Sequence, residues 1–313
     1  MGAFHCPMGT PFYEGEGCIL CGLCVAETRE NMIKSSEKVR AYLRSLPERK
    51  SNFKKVVVCG KGGSGKSTVV ALMADVLKEE GYGVLVVDTD ESNPGLYRMF
   101  GFTEQPRPLM KLLSRFSAGE PELDTGWITQ DEISMYDIPP NYVLGSDGLK
   151  FVMVGKILDP FQGCACSMAD VTRDLVKKIV LGENEVLLID AEAGIESFGR
   201  GVERNVDTVL VVVEPSFESM DLAERISYMA DGIGVRMVKA VLNKVPSEEI
   251  RRKVIEGLVQ RNVSQIGAVN ADPAVSGAGL EGRALGASAA REEIRQIVRR
   301  LLNEVGRKGQ SGR

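Results

Sequence analysis

The run Gly60-Lys61-Gly62-Gly63-Ser64-Gly65-Lys66-Ser67-Thr68 carries the residue types that a phosphate-binding loop needs, in the order it needs them. Its glycines let the backbone fold around an anion with successive N–H groups pointing inward, at the positive end of a following helix. Lys66 is placed to reach the β- and γ-phosphates of a nucleotide, and the Ser67 hydroxyl to sit on Mg²⁺. Gly62, Gly63, Ser64, Gly65 and Thr68 complete the cradle. The setting agrees: apolar residues 56–58 precede the loop and a helix-like stretch, 69–80, follows it. Strand, loop and helix in that order are what the motif requires.

Six of the seven cysteines fall into two organised groups. Cys18, Cys21 and Cys24 set thiolates around one short loop, and Cys6, followed by Pro7, completes a set of four. A CxxCxxC run with a distant Cys-Pro is the ligand spacing of 4Fe–4S clusters in bacterial-type ferredoxins, although here the remote cysteine comes first in the chain. Zinc usually takes two separated CxxC pairs, so zinc stands second, and disulfides or free thiols last. His5 reads as a loop residue or a donor to a ligand, since four cysteines suffice. The second group, Cys164 and Cys166 in Gly-Cys-Ala-Cys, lies before a helix-like stretch at 170–180. Two thiolates one residue apart cannot encircle a metal alone, but a two-fold dimer would bring four together at its axis. Nickel, zinc and iron–sulfur clusters all accept thiolates. Without further context, two partly buried thiols in a turn would explain the pair as well. The seventh, Cys59, reads as a buried strand-end residue.

The elements that must position these groups follow from hydrophobic patterning. Apolar runs at 56–58, 84–87, 151–154, 186–189, 209–213 and 237–242 alternate with helical patterns. That alternation predicts an α/β fold, a mostly parallel doubly wound sheet with helices on both faces, plus a small N-terminal cysteine-rich module. The chain of 313 residues divides as a module and linker helix at 1–52, a phosphate-loop domain at 53–305 and a polar tail at 306–313. The module is too short for a core of its own and is expected to depend on its metal or on docking. A short hairpin is expected around 138–141. The last helix, 289–305, puts Ile294, Ile297, Val298, Leu301 and Leu302 on one face and is expected to pack on the sheet. The net charge of −4 argues against a general nucleic-acid surface. With no apolar stretch long enough for a bilayer and no secretory signal, a cytoplasmic location and no membrane association are expected.

With its second lysine, Lys61, the loop resembles the deviant Walker A signature of the ATPases that include nitrogenase iron protein, the septum-positioning and partition ATPases, and metal-centre maturation ATPases. The resemblance implies that Lys61 reaches the partner's nucleotide across an ATP-sandwiched homodimer. It implies further that Asp90, at the end of the strand 84–87, orients the attacking water and that Asp88 supports the Mg²⁺ shell. Ser92, Asn93 and Pro94 would continue this first switch. Residues 186–190 look like a Walker B strand, with Asp190 near the metal and 191–201 as the second switch. Asn243 stands where this family reads adenine, and Pro246 occupies the place of the aspartate that guanine-specific members carry. The segment 269–273, with Asp272 and Pro273, resembles the loop that closes over the base. ATP is therefore favoured over GTP.

Gly-Cys-x-Cys ahead of a helix, followed by Asp190-Ala-Glu-Ala-Gly-Ile-Glu-Ser-Phe-Gly-Arg-Gly201, resembles the CooC-type ATPases that help insert nickel into carbon monoxide dehydrogenase. That likeness covers about residues 53–305. It implies that Cys164 and Cys166 of two subunits share a metal, and that ATP-driven dimer rearrangement is linked to its delivery. The expected function is an ATP-hydrolysing metallochaperone or maturation factor. Its client would be a metalloenzyme such as carbon monoxide dehydrogenase, with a possible redox partner for the N-terminal cluster. The alternative is an ATP-gated electron donor like nitrogenase iron protein. That family draws two cluster ligands per subunit from separate segments, and Ser197 occupies the later position here.

Overall fold

The computed structural model describes residues 54–90, 95–112, 126–146, 148–155, 165–195, 205–235 and 237–310. The expected N-terminal module with Cys6, Cys18, Cys21 and Cys24, the first-switch residues Ser92, Asn93 and Pro94, Cys164, and most of the second switch lie outside them.

In chain order the elements are β1 (Lys55–Gly60), α1 (Lys66–Glu79), β2 (Gly83–Asp88), the single-turn α2 (Leu96–Met99), β3 (Ile133–Ser134), β4 (Val143–Ser146) and β5 (Leu149–Met153). They continue with α3 (Ala165–Lys178), β6 (Ile179–Val180), β7 (Glu185–Asp190), β8 (Thr208–Val213), α4 (Phe217–Gly232) and β9 (Met237–Val245). Then come α5 (Glu248–Gln260), β10 (Gln265–Asn270), α6 (Pro273–Glu281) and α7 (Ala289–Gln310). Eight strands form one sheet in the order β10-β9-β8-β1-β7-β2-β5-β4. Every neighbouring pair is parallel except the β4–β5 hairpin at the edge.

The strand sequences are nearly unbroken apolar runs because both faces of this sheet are covered. Val56, Val58, Val84, Val86, Leu188 and Val212 pack on one side with α1 and with Ile294, Ile297, Val298 and Leu301 of α7. Val57, Cys59, Leu85, Val87, Ile189 and Val211 face the other way, onto Leu175 of α3, Ile226 of α4 and Leu258 of α5. The terminal helix therefore spends its apolar face on the sheet, as its pattern predicts. Its polar side is tied to α1 by Arg291 and Arg295 on Glu79 and by Arg299 on Glu80. Among the described residues no helix is long and apolar enough to cross a membrane.

Four local expectations need correction. Asn243 and Lys244 lie within β9 rather than after it. The hairpin is β4–β5, not residues 138–141. Pro139 and Pro140 have no N–H to offer a ladder, and the chain turns there instead, with the Tyr142 N–H bonding the Pro139 carbonyl. The third helix starts at Ala165, so Cys166 lies in its first turn, and it stops at Lys178. Ile179 and Val180 leave it to pair with Ile133 and Ser134, which buries Ile179. Finally, α7 continues to Gln310, taking in most of the expected tail.

Candidate nucleotide site

The sheet order brings the C-terminal ends of β8, β1, β7 and β2 side by side, the edge where open α/β sheets bind their ligands. Residues 60–66 leave β1 there and turn into α1. Gly65 caps the helix in a left-handed conformation, φ 93°, and no side chain caps its first N–H groups. A helix start of this kind favours an anion. Glycine is required at both ends of the loop. A Cβ at Gly60, φ 142°, would meet the Val212 carbonyl at 2.5 Å, and one at Gly65 would overlap the Asn243 amide nitrogen. Gly62 and Gly63 form an exposed crest, whereas Ser64, Lys66 and Ser67 are buried beneath it.

Asn243 and Lys244 reach the loop from β9. The Asn243 amide donates to the Ser64 carbonyl at 2.8 Å, and the Lys244 ammonium to the Gly63 carbonyl at 2.6 Å. Two successive carbonyls are thus drawn outward, which turns the N–H groups of the following residues away from β9. Lys244 adopts φ 56°, a left-handed value unusual for a residue with a side chain. The Asn243 side chain therefore braces the loop, beside any part in reading a base. Asp272 has a comparable task. One oxygen accepts the Ala274 N–H at the start of α6 and the other accepts the Ala290 N–H at the start of α7. Ala290 first, then the donors of α6, holds its carboxyl below the ordinary aspartate range. Pro273 is the first residue of α6, where its missing N–H costs nothing.

Three acids converge at the adjacent strand ends. Asp88 and Asp190 are register partners on β2 and β7, and the Asp90 N–H donates to Asp88 Oδ1 at 3.1 Å. All three are buried. The Ser67 hydroxyl donates to Asp190 Oδ2 at 2.6 Å, while Asp190 Oδ1 has no hydrogen-bond partner. Burial, and then the neighbouring Asp88 charge, pushes the Asp190 carboxyl up to about 7. A buried orphan oxygen between two acids and a serine hydroxyl suits a divalent cation. Mg²⁺ takes one or two protein carboxylates and leaves its other positions to phosphates and water. Among the described residues no group of three or more His, Cys, Asp or Glu is placed to hold a metal ion.

The pH dependence has a definite sign. Because Asp190 is raised in the folded chain, folding takes up a proton between about pH 4 and pH 7, so this residue's contribution to stability falls as pH rises through that window. Asp190→Asn is expected to flatten that part of the profile. In chelator it should stabilise the nucleotide-free chain above pH 7 by about 1–4 kcal/mol, and it should remove any stabilisation by Mg²⁺ and nucleotide. Denaturant melts across pH check this; a variant less stable than wild type at pH 8 contradicts it.

Lys61, one residue past β1, pairs with Glu214 at 3.2 Å. Neither Glu214 nor the bracing role of Asn243 and Lys244 is visible in the sequence by itself, because both depend on the order of β9, β8 and β1 in the sheet. The one available signal is a charged residue directly after the apolar run 209–213 of β8.

Residues 55–285 match the family model described as the CobQ/CobB/MinD/ParA nucleotide binding domain. The chain belongs to that family. An uncharacterized ATP-binding protein of Methanocaldococcus jannaschii is 33% identical over 78% of this chain and 98% of its own length. The carbon monoxide dehydrogenase accessory protein CooC of Rhodospirillum rubrum is 30% identical over 80% of this chain and 97% of its own. Among solved structures, the septum site-determining protein MinD of Pyrococcus horikoshii, complexed with Mg-ADP, superposes with a TM-score of 0.60. It covers 82% of this chain and 98% of its own at 17% identity, a likeness of fold.

Proposed function

We propose that this chain is an ATP-hydrolysing maturation factor for a client metal centre, working as a homodimer in which Cys164 and Cys166 of two subunits share nickel, zinc or a bridging cluster. The observation that carries this reading is the phosphate cradle with its buried Ser67–Asp190 pair, in a chain that matches CooC over nearly that protein's whole length. Lys66 and the loop N–H groups would hold the phosphates of ATP, with Asn243, Asp272 and Pro273 on the base side. Ser67, Asp190 and Asp88 would hold Mg²⁺, whose role is to neutralise charge on the phosphates. Asp90 would orient water toward the terminal phosphate, and Lys61 would respond to the triphosphate, in its own subunit or the partner's. Residues 1–52 are proposed as a tethered iron–sulfur module, with zinc the second choice, serving client docking or redox exchange in the cytoplasm. The carbon monoxide dehydrogenase named for CooC is the first client to try. Neither nucleic acid nor membrane enters this scheme.

Asp90→Ala is expected to keep MgATP affinity within about threefold while slowing hydrolysis by about 10²-fold or more, the usual loss when a positioned base is removed. Phosphate release and an equilibrium nucleotide titration measure the two effects separately. Wild-type turnover in the variant would rule out the role assigned to Asp90.

A further inference from the structure

The Lys61–Glu214 ion pair stands at the mouth of the cradle, and its two halves are held very differently. Gly60 and Val212 are register partners on β1 and β8, so Lys61 and Glu214 leave neighbouring strand ends in the same direction. Glu214 is fixed by its backbone: its N–H donates to the buried Ser219 hydroxyl at 3.2 Å, and its carbonyl accepts the Ser216 N–H at 2.7 Å. Ser216 in turn caps α4 by accepting the Ser219 N–H. The carboxylate is thus presented from a rigid turn, with its side chain 22% exposed. Lys61 is a four-carbon arm, 40% exposed, that this carboxylate holds to one side.

We propose that Glu214 is a positioning residue that keeps Lys61 off the phosphate cradle until a nucleoside triphosphate takes the ammonium over. This rests on the nucleotide reading above and adds to it a step that discriminates by charge. A half-buried pair of single charges with water at its edge is modest in strength and open to exchange. A triphosphate offers several negative oxygens and charge-assisted hydrogen bonds in place of one carboxylate. Each round of binding therefore begins with an exchange of Lys61 from Glu214 to phosphate, and loss of the terminal phosphate favours its return.

The test is a double-mutant cycle on the full chain. Glu214→Gln removes the charge at constant size, and Glu214→Ala removes the acceptor as well. MgATP affinity is measured by equilibrium titration for each, in the wild-type and Lys61→Ala backgrounds, at low and at moderate salt. Both Glu214 variants are expected to bind MgATP about two- to fivefold more tightly than wild type, with the gain shrinking at higher salt and vanishing when Lys61 is alanine. Unchanged affinity in both variants overturns the proposal, as does an equal gain in the Lys61→Ala background, which would mark a general charge effect. Absence of MgATP binding by the wild-type chain is a different failure, that of the nucleotide reading itself.

Discussion

Lys66→Ala is expected to abolish measurable MgATP binding, a loss of about 10²-fold or more, without unfolding the chain. Lys66 opens α1 and is 5% exposed, so its ammonium works in a water-poor cradle where a charge-assisted bond to phosphate is strong. Truncating one partner of a buried charge pair costs about 2–5 kcal/mol, or roughly 30- to several-thousand-fold in affinity. The variant also loses the cation that partly offsets Asp88 beside Asp190, so the acid cluster becomes harder still to ionise. The fold should survive, because alanine is the best helix former and the apolar face of α1 is untouched. Isothermal titration with MgATP and MgADP reads the result. Wild-type affinity in a folded variant would refute the phosphate-binding assignment.

The second large effect concerns the cysteine pair. Replacing Cys164 and Cys166 together with serine is expected to remove the shared metal entirely while changing MgATP affinity less than about twofold. The separation of effects follows from placement. Cys166 lies in the first turn of α3, and Ser67, Asp88 and Asp190 are carried on α1, β2 and β7. Two thiolates one residue apart in sequence cannot encircle a metal alone, so the proposed site draws on two chains. Serine removes the soft thiolate donor with little change in volume. Metal analysis of the purified dimer, paired with nucleotide titration, gives both numbers. Full metal content in the double variant would contradict the shared site.

Much of this architecture is legible in the sequence, for identifiable reasons. Parallel strands buried on both faces appear as continuous apolar runs, so β1, β2, β7 and β8 stand out, and the loop between β1 and α1 is fixed by purely local chemistry. The terminal helix is legible because its apolar stripe recurs with helical period and meets the sheet as expected. What is not legible depends on strand order. Glu214 lies 153 residues from Lys61, and Lys244 lies 181 residues from Gly63; only the packing of β8 beside β1, and β9 beside β8, brings them together. Asp272 shows the same limit: its likeness to a base-closing loop gives no hint that its second oxygen fastens the start of α7. The β4–β5 hairpin is not legible either, because the turn residues Pro139 and Pro140 precede it rather than form it. Short β3 and β6 leave no periodic signal, having two residues each.

If nucleotide controls a metal at the proposed Cys164/Cys166 site, the occupancy of that site must respond to MgATP. The most direct test uses a Cys18/Cys21/Cys24 triple-alanine variant purified without oxygen, so that the N-terminal thiols do not contribute. Nickel, zinc, iron and acid-labile sulfide are measured per dimer after each metal is offered, with and without MgATP. About one nickel or zinc per dimer, or one bridging cluster, is expected, with an occupancy that changes when MgATP is added. Metal content that is absent, or identical with and without MgATP, would contradict nucleotide control of the site.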